Sequence, residues 1–182
     1  MSGRRWWWNA LWGAMALLAG CGGDRLHSVS GPTMGSTYSV QYVQRTGVPD
    51  ESRVKAEVEQ ILAEVDRQMS TYRSDSDIER FNALPGNSCQ PMPESVLHLV
   101  RVGEQLSRDS GGAFDLTVEP LLDLWGFGPK GQGEAVPSAA QLAAARQRVG
   151  QQHLRIDGER LCKAVDVQVD FNSIAAGYAV DR

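Results

Sequence analysis

The run Ser36 to Val43, STYSVQYV, puts Tyr38, Val40 and Tyr42 on one side of an extended chain and mostly polar residues on the other. A two-residue period of this kind predicts a half-buried strand. Beyond Pro49 the period changes. Val54, Val58, Ile61, Leu62, Val65 and Met69 recur at helical spacing, with Lys55, Glu59 and Arg67 on the opposite face. This predicts an amphipathic helix opened by Asp50 as its N-cap. A short helix follows within MSTYRSDSDIERFN, capped by Ser74 or Asp75 and turning Ile78 and Phe81 inward. A second long helix runs from Glu94, carries Val96, Leu99, Val100 and Val102, and stops before Gly111 and Gly112.

LPGNSCQPMP and PKGQGEAVPS are rich in Pro, Gly and polar residues and read as loops. SAAQLAAARQRV is helical by its alanine content. HLRIDGERLCKA predicts a hairpin turned at Asp157 and Gly158, and VDVQVDF alternates like a half-buried strand. The final segment, VDFNSIAAGYAVDR, ends on a helix that has barely begun, with no Gly or Pro to close it. The chain is therefore expected to be the N-terminal part of a longer protein. Strands mixed with long helices, without a βαβ cadence, predict an α+β fold: mixed helices and an antiparallel-type sheet, incomplete at the C-terminus.

The first 21 residues stand apart. MSGRRWWWNALWGAMALLAGC has a short basic start and an uncharged, largely apolar run from Trp6 to Gly20, then a Cys. This is the layout of a secretory signal, and the run is short of the ~20 apolar residues of a membrane span. Its ending, LAGC, resembles a bacterial lipobox. The expectation is a signal peptide over 1–20, lipidation at Cys21, and a mature chain of 21–182 held to the bacterial inner membrane by acyl chains and facing the periplasm. A soluble secreted protein with a chance Cys is the alternative.

Charge narrows the partners. The 182 residues carry 18 Lys and Arg against 22 Asp and Glu, a net charge of −4. Loss of Arg4 and Arg5 with the signal makes the chain more acidic still. No Lys/Arg-rich run remains, which argues against nucleic acid. Cys89 and Cys162 remain in what would be an oxidising compartment; they either pair or lie as buried free thiols, and the free thiol is the expectation. No CxxC, HExxH or Cys/His cluster points to structural zinc. GFGPKG, from Gly126 to Gly131, matches the letters of a dinucleotide fingerprint, but Pro129 and the following GQGEAVP do not open the helix that would hold a pyrophosphate. His27, His98 and His153 are scattered, and no Ser sits in a G-x-S-x-G context.

Four segments share a character: TMGSTYSV, MSTYRSDSDIERFN, GGAFDLTVEPLLDLWGFGP and VDFNSIAAGYAVDR. Each mixes small residues with an aromatic or Met and a polar group at a turn. Together, in this order and over about Thr33 to Arg182, they resemble the ApbE family of flavin transferases. The resemblance implies Mg2+-dependent cleavage of FAD, which serves as a substrate. The FMN half passes to a Ser or Thr hydroxyl of an acceptor protein, typically a subunit of a membrane redox complex. Binding or hydrolysis of FAD without protein transfer is the alternative.

The resemblance also assigns residues. Met34 would lie against the flavin and Tyr72 against an aromatic ring of FAD. Ala113, Phe114 and Asp115 would line the FAD site, partly through backbone. Asp170 would hydrogen-bond the cofactor, Ser173 would help hold the metal, and Ala176 would take part in the FAD site. Ala176 stands where the family usually has Lys or Glu, and Asn172 where it usually has Gly or Ser. Catalytic groups and further metal ligands are expected beyond residue 182. The residues alone leave other roles open. Phe114 and Met34 also suit packing, Asp115 a turn or cap, and Asp170 with Ser173 an N-cap and first helical turn.

The physical chemistry is consistent with that assignment. A pyrophosphate beside a hard divalent cation takes oxygen donors, not Cys or His. Glycines let the main chain approach a flat ring, and aromatic side chains offer faces to it.

Overall fold

The computed structural model describes residues 25–128 and 136–182, and the chain divides into two compact units. The expected signal peptide over 1–20, the expected lipidation site Cys21 and most of the expected loop after Gly128 lie outside the described residues.

The first unit, in residues 25–32 and 37–56, is built on a ribbon of two strands, β1 (Arg25–Thr33) and β2 (Ser36–Gln44). Along β2, Tyr38, Val40 and Tyr42 are half-buried and their neighbours exposed, as the two-residue period predicts. Strand β1 alternates in burial too, with His27, Val29, Gly31 and Thr33 less exposed than their neighbours, but its sequence, RLHSVSGPT, carries no two-residue apolar period that would predict it. It is admitted by packing: a Cβ on Gly31 would come within 2.8 Å of the Tyr38 ring, so glycine lets that ring lie on the strand. His27 stacks on Tyr42 with centroids 5.6 Å apart and places Nδ1 3.3 Å from Glu51 Oε2.

The second unit comprises residues 33–36 and 57–182. Helix α1 (Glu51–Met69) begins as predicted, with Asp50 Oδ1 accepting the Arg53 N–H at 2.9 Å, and buries Val65 and Met69. Helix α2 (Asp77–Asn82) buries Ile78 and Phe81 but is capped by Ser76, not by Ser74 or Asp75. The Ser76 hydroxyl accepts the Glu79 N–H at 3.0 Å and donates to the Ser70 carbonyl at 2.7 Å. Asp75 is engaged elsewhere: both of its carboxylate oxygens accept from Arg73.

Three short strands form an antiparallel sheet in the order β3 (Ser88–Pro91), β5 (Arg160–Lys163), β4 (Leu154–Asp157). The β4–β5 hairpin forms as expected, but its turn is Gly158–Glu159, one residue later than Asp157–Gly158, because Asp157 pairs with Arg160; Gly158 has φ 59°. Strand β3 lies inside a stretch read as a loop. Pairing with β5 overrides its Pro and Asn content, and Pro91 is tolerated because β3 is an edge. The same register sets Cys89 directly opposite Cys162, with Cα atoms 4.0 Å apart, and the two form a disulfide. The expected free thiols are thereby corrected: strand pairing, invisible in the spacing of 73 residues, brings the sulfurs together.

Helix α3 (Glu94–Asp109) buries Val96, Leu97, Leu99 and Val100 and leaves His98 exposed. At Gly103 a Cβ would meet Leu116 Cδ1 at 2.3 Å, so this glycine makes room for the chain after α3. Helix α4 (Glu119–Leu124) packs on α5 (Ala139–Arg146), which opens with a capping box of Ser138 and Gln141; α6 (Ala175–Val180) ends the described chain.

VDVQVDF is not a strand. Val167, Val169 and Phe171 are fully buried as its alternation predicts, yet no strand pairs with it among the described residues. The core holds Val169 and Phe171 together with Val65, Met69, Ile78, Phe81, Val96, Leu116 and Leu161.

Candidate functional site

Helix α3 ends in two consecutive left-handed glycines, Gly111 with φ 62° and Gly112 with φ 86°. The Gly112 N–H returns to the Ser107 carbonyl at 2.8 Å, a turn that only glycine adopts cheaply. Ala113 is exposed, and the Phe114 N–H is tied to Ser110 Oγ at 3.0 Å while its half-buried ring packs against the core. Asp115 Oδ1 accepts the Thr117 N–H at 2.8 Å and the Thr117 hydroxyl at 2.6 Å, and Oδ2 accepts the Gln151 N–H at 3.1 Å. That carboxylate is therefore occupied in shaping the turn and holding residues 150–151.

The second limb is Asp170. Its N–H donates to the Leu116 carbonyl at 2.8 Å, which ties the VDFNS segment to the AFDL segment. The carboxyl is buried, and burial pushes its pKa up; hydrogen bonds from the Asn172 backbone and side chain pull the other way, and the negative charge of Asp123 adds to the rise. Asn172 Nδ2 also lies 3.5 Å from Thr71 Oγ1, which brings the loop carrying Tyr72 to the same place. Tyr72 itself is 67% exposed, a ring left open to solvent on a segment otherwise well anchored. Ser173 and Ala176 are both exposed, just before and just inside α6.

Three of the four sequence segments thus meet through named hydrogen bonds. The fourth supplies Met34, which with Gly35 turns the β1–β2 hairpin; Met34 has φ 42°, a conformation rare for a side chain of this kind, and is 40% exposed.

Sequence reasoning missed the supports of this arrangement. Asn82, at the end of α2, accepts the Val169 N–H on Oδ1 at 2.8 Å and donates from Nδ2 to the Val169 carbonyl at 3.0 Å. Lys163, on β5, is buried and donates to the carbonyls of Asn82 at 3.1 Å and Val167 at 3.2 Å, with its ammonium 5.1 Å from the Phe81 ring centroid. Burial holds its pKa below the ordinary lysine value, against the pull of Asp166. A lysine in a four-residue hairpin strand gives no local sign of burial. Asn82 adjoins the inward-facing Phe81, which is the one available hint. Asp123, whose charge acts on Asp170, lies in a short helix that the sequence reading did not predict.

The VDFNS segment carries the Asp170 carboxylate and the Ser173 hydroxyl, and the Asp123 carboxylate acts electrostatically on Asp170; such oxygen donors suit a hard cation better than a soft one. Among the described residues, however, no group of three or more His, Cys, Asp or Glu is gathered to hold a metal. These residues fit a contribution to a metal site, not a complete ligand set.

A sequence model of the ApbE family matches residues 34–182. The chain is 39% identical over 177 residues to the FAD:protein FMN transferase of Vibrio cholerae serotype O1, covering 96% of this chain and 53% of that protein. It is 37% identical to the protein of the same name from Haemophilus influenzae, covering 93% and 51%. Among solved structures, it superposes on the apo form of the Pseudomonas stutzeri flavinyl transferase ApbE with a TM-score of 0.84 at 64% identity, over 87% of this chain and 51% of that one. The Vibrio cholerae flavin transferase ApbE gives a TM-score of 0.85 at 39% identity, over 87% and 52%. The chain spans about half the length of the curated relatives it matches. The α+β architecture, the left-handed glycine turn and the junction of Leu116 with Asp170 therefore stand within a family match that runs from Met34 to the last residue: this chain belongs to the ApbE family.

Proposed function

We propose that the full-length protein moves FMN from FAD to a Ser or Thr hydroxyl of an acceptor protein, with Mg2+ as cofactor. The acceptor oxygen attacks the FMN phosphorus, the bond to the bridging oxygen breaks, AMP leaves, and the hydroxyl proton is lost. The observation that carries this reading is the Asp170–Leu116 hydrogen bond at 2.8 Å. It joins the two segments that bear most of the residues assigned to FAD, in a chain similar to proteins named FAD:protein FMN transferase.

In this reading the glycine turn and the Ala113–Phe114 backbone lie along the nucleotide, Tyr72 offers its open ring, and Asp170 accepts from the cofactor. Met34 lies against the flavin, and Ala176, which has no charged group to offer, contributes main chain. Ser173, with carboxylates from the same region, would contribute to a Mg2+ site, where the metal would supply charge neutralisation for the transferring phosphoryl group. The Asp115 carboxylate holds the turn and residue 151, and Asp115 lines the nucleotide site beside Ala113 and Phe114.

Export belongs to the same proposal. The protein works as a lipoprotein anchored through Cys21 at the inner membrane, facing the periplasm. The Cys89–Cys162 disulfide supports this, since such bonds persist in oxidising compartments.

The test is to incubate full-length protein, FAD, Mg2+ and a candidate acceptor, and to weigh the acceptor by mass spectrometry. A gain equal to FMN, lost when the metal is removed by chelation, is expected. Release of FMN and AMP with an unmodified acceptor would favour hydrolysis instead, and indifference to FAD would end the flavin reading.

A further inference from the structure

Residues 167–170 have no regular secondary structure and no neighbouring strand among the described residues, yet Asp170 must be held to about the precision of a hydrogen bond to serve a cofactor. Two buried polar side chains take the missing strand's place. Asn82 pairs with both backbone groups of Val169, at 2.8 and 3.0 Å, as a peptide unit of a neighbouring strand would. Its Nδ2 also lies 2.9 Å from Glu79 Oε1 and 3.4 Å from Glu119 Oε2, so the amide is oriented from two sides. Lys163 then clamps the assembly. Its ammonium donates to Asn82 O and Val167 O, linking the end of α2 to the start of the stretch, and sits 3.7 Å from Asp166 Oδ1.

Burying a lysine and an amide is costly unless both are satisfied, and an apolar pair would fill the same space without that cost. What an apolar pair would not supply is direction. These contacts fix where residues 167 and 169 lie, and Asp170 is the next residue in the chain. Its own N–H closes the frame on Leu116 O.

We propose that Asn82 and Lys163 are positioning residues for the flavin-nucleotide site, acting through the backbone of Val167 and Val169 to set Asp170. This rests on the flavin-transferase reading above. Neither side chain touches the nucleotide; each acts on where Asp170 stands. A group with this role affects how well FAD is held, whereas one that only adds stability affects how much protein is folded.

The test uses full-length protein carrying Asn82→Ala or Lys163→Met, with Val65→Ala as a core variant that contacts neither group through a hydrogen bond. KM for FAD, kcat and the melting temperature are measured for each, at a temperature where all are folded. Positioning predicts that Asn82→Ala and Lys163→Met each raise KM for FAD roughly tenfold, the scale of one buried hydrogen bond left unmade. Val65→Ala should lower the melting temperature and leave KM unchanged. Should either variant fail to fold, Asn82→Ser removes the paired contact with Val169 without adding charge beside Glu79 and Glu119, and is held to the same criterion. An active wild type whose variants keep KM within about twofold, or whose KM moves equally in Val65→Ala, overturns the positioning role alone. A wild type that neither binds nor turns over FAD overturns the flavin reading, and this proposal with it.

Discussion

The backbone N–H of Asp170 donates to the carbonyl of Leu116 across 2.8 Å. Fifty-four positions of sequence close on one hydrogen bond there, and the two segments it joins carry the glycine turn, the AFD backbone, Asp170 and Ser173. The side chain of Leu116 points into the core while its carbonyl serves the site, so packing and site geometry are coupled at one residue.

That coupling is open to a packing test. Gly103→Ala drives a Cβ to within 2.3 Å of Leu116 Cδ1, and should destabilise the protein by about 1–3 kcal/mol. Leu116→Ala removes the obstructing atoms but leaves a cavity. The double variant is expected to be more stable than the sum of the two single losses, by denaturant unfolding in a double-mutant cycle.

Asp170 should show the cost of a buried carboxylate. Burial raises its folded-state pKa, so the stability tied to its protonated form is present below the ordinary carboxyl pKa and is lost as pH rises through the folded value. Asp170→Asn escapes that loss. The variant is expected to melt above wild type near neutral pH, with the gap closing toward about pH 3, while FAD affinity falls. Melting curves across this range check the first outcome and flavin fluorescence the second. A variant that melts below wild type at neutral pH would show that hydrogen bonding to the carboxylate outweighs its desolvation.

The disulfide links residues 73 apart in sequence and therefore restrains the unfolded chain. Its loss should cost roughly 2–4 kcal/mol. A dithiol reductant is expected to lower the urea midpoint of the wild type and to leave that of the Cys89→Ala/Cys162→Ala double variant where it is.

Tyr72 separates binding from folding. With its ring 67% exposed, Tyr72→Ala should leave the melting temperature almost unchanged. Loss of the ring face should weaken FAD binding roughly 2- to 10-fold, and Tyr72→Phe should restore it. Equal affinities for the Ala variant and the wild type, by fluorescence titration, would remove Tyr72 from the site.

Read alone, the chain's hydrophobic periods determined α1, α3, the strand Ser36–Gln44 and the β4–β5 hairpin, because in each the pattern of Val, Ile, Leu, Tyr or turn residues is local and repeats. The resemblance to a family was legible for a similar reason: AFD and VDFNS are short, contiguous words. Partnership was not legible. Whether Cys89 meets Cys162, whether VDVQVDF finds a strand or the Asn82 side chain beside it, and whether Lys163 faces water or two carbonyls all depend on residues 73 to 87 positions distant or on the packing around them. Asp115 shows the same limit within the site. Its identity was apparent, but only the fold brought Gln151 to its carboxylate and so decided that it shapes the turn. Local free-energy preferences are written along the chain; the satisfaction of buried polar groups is a property of which distant groups meet.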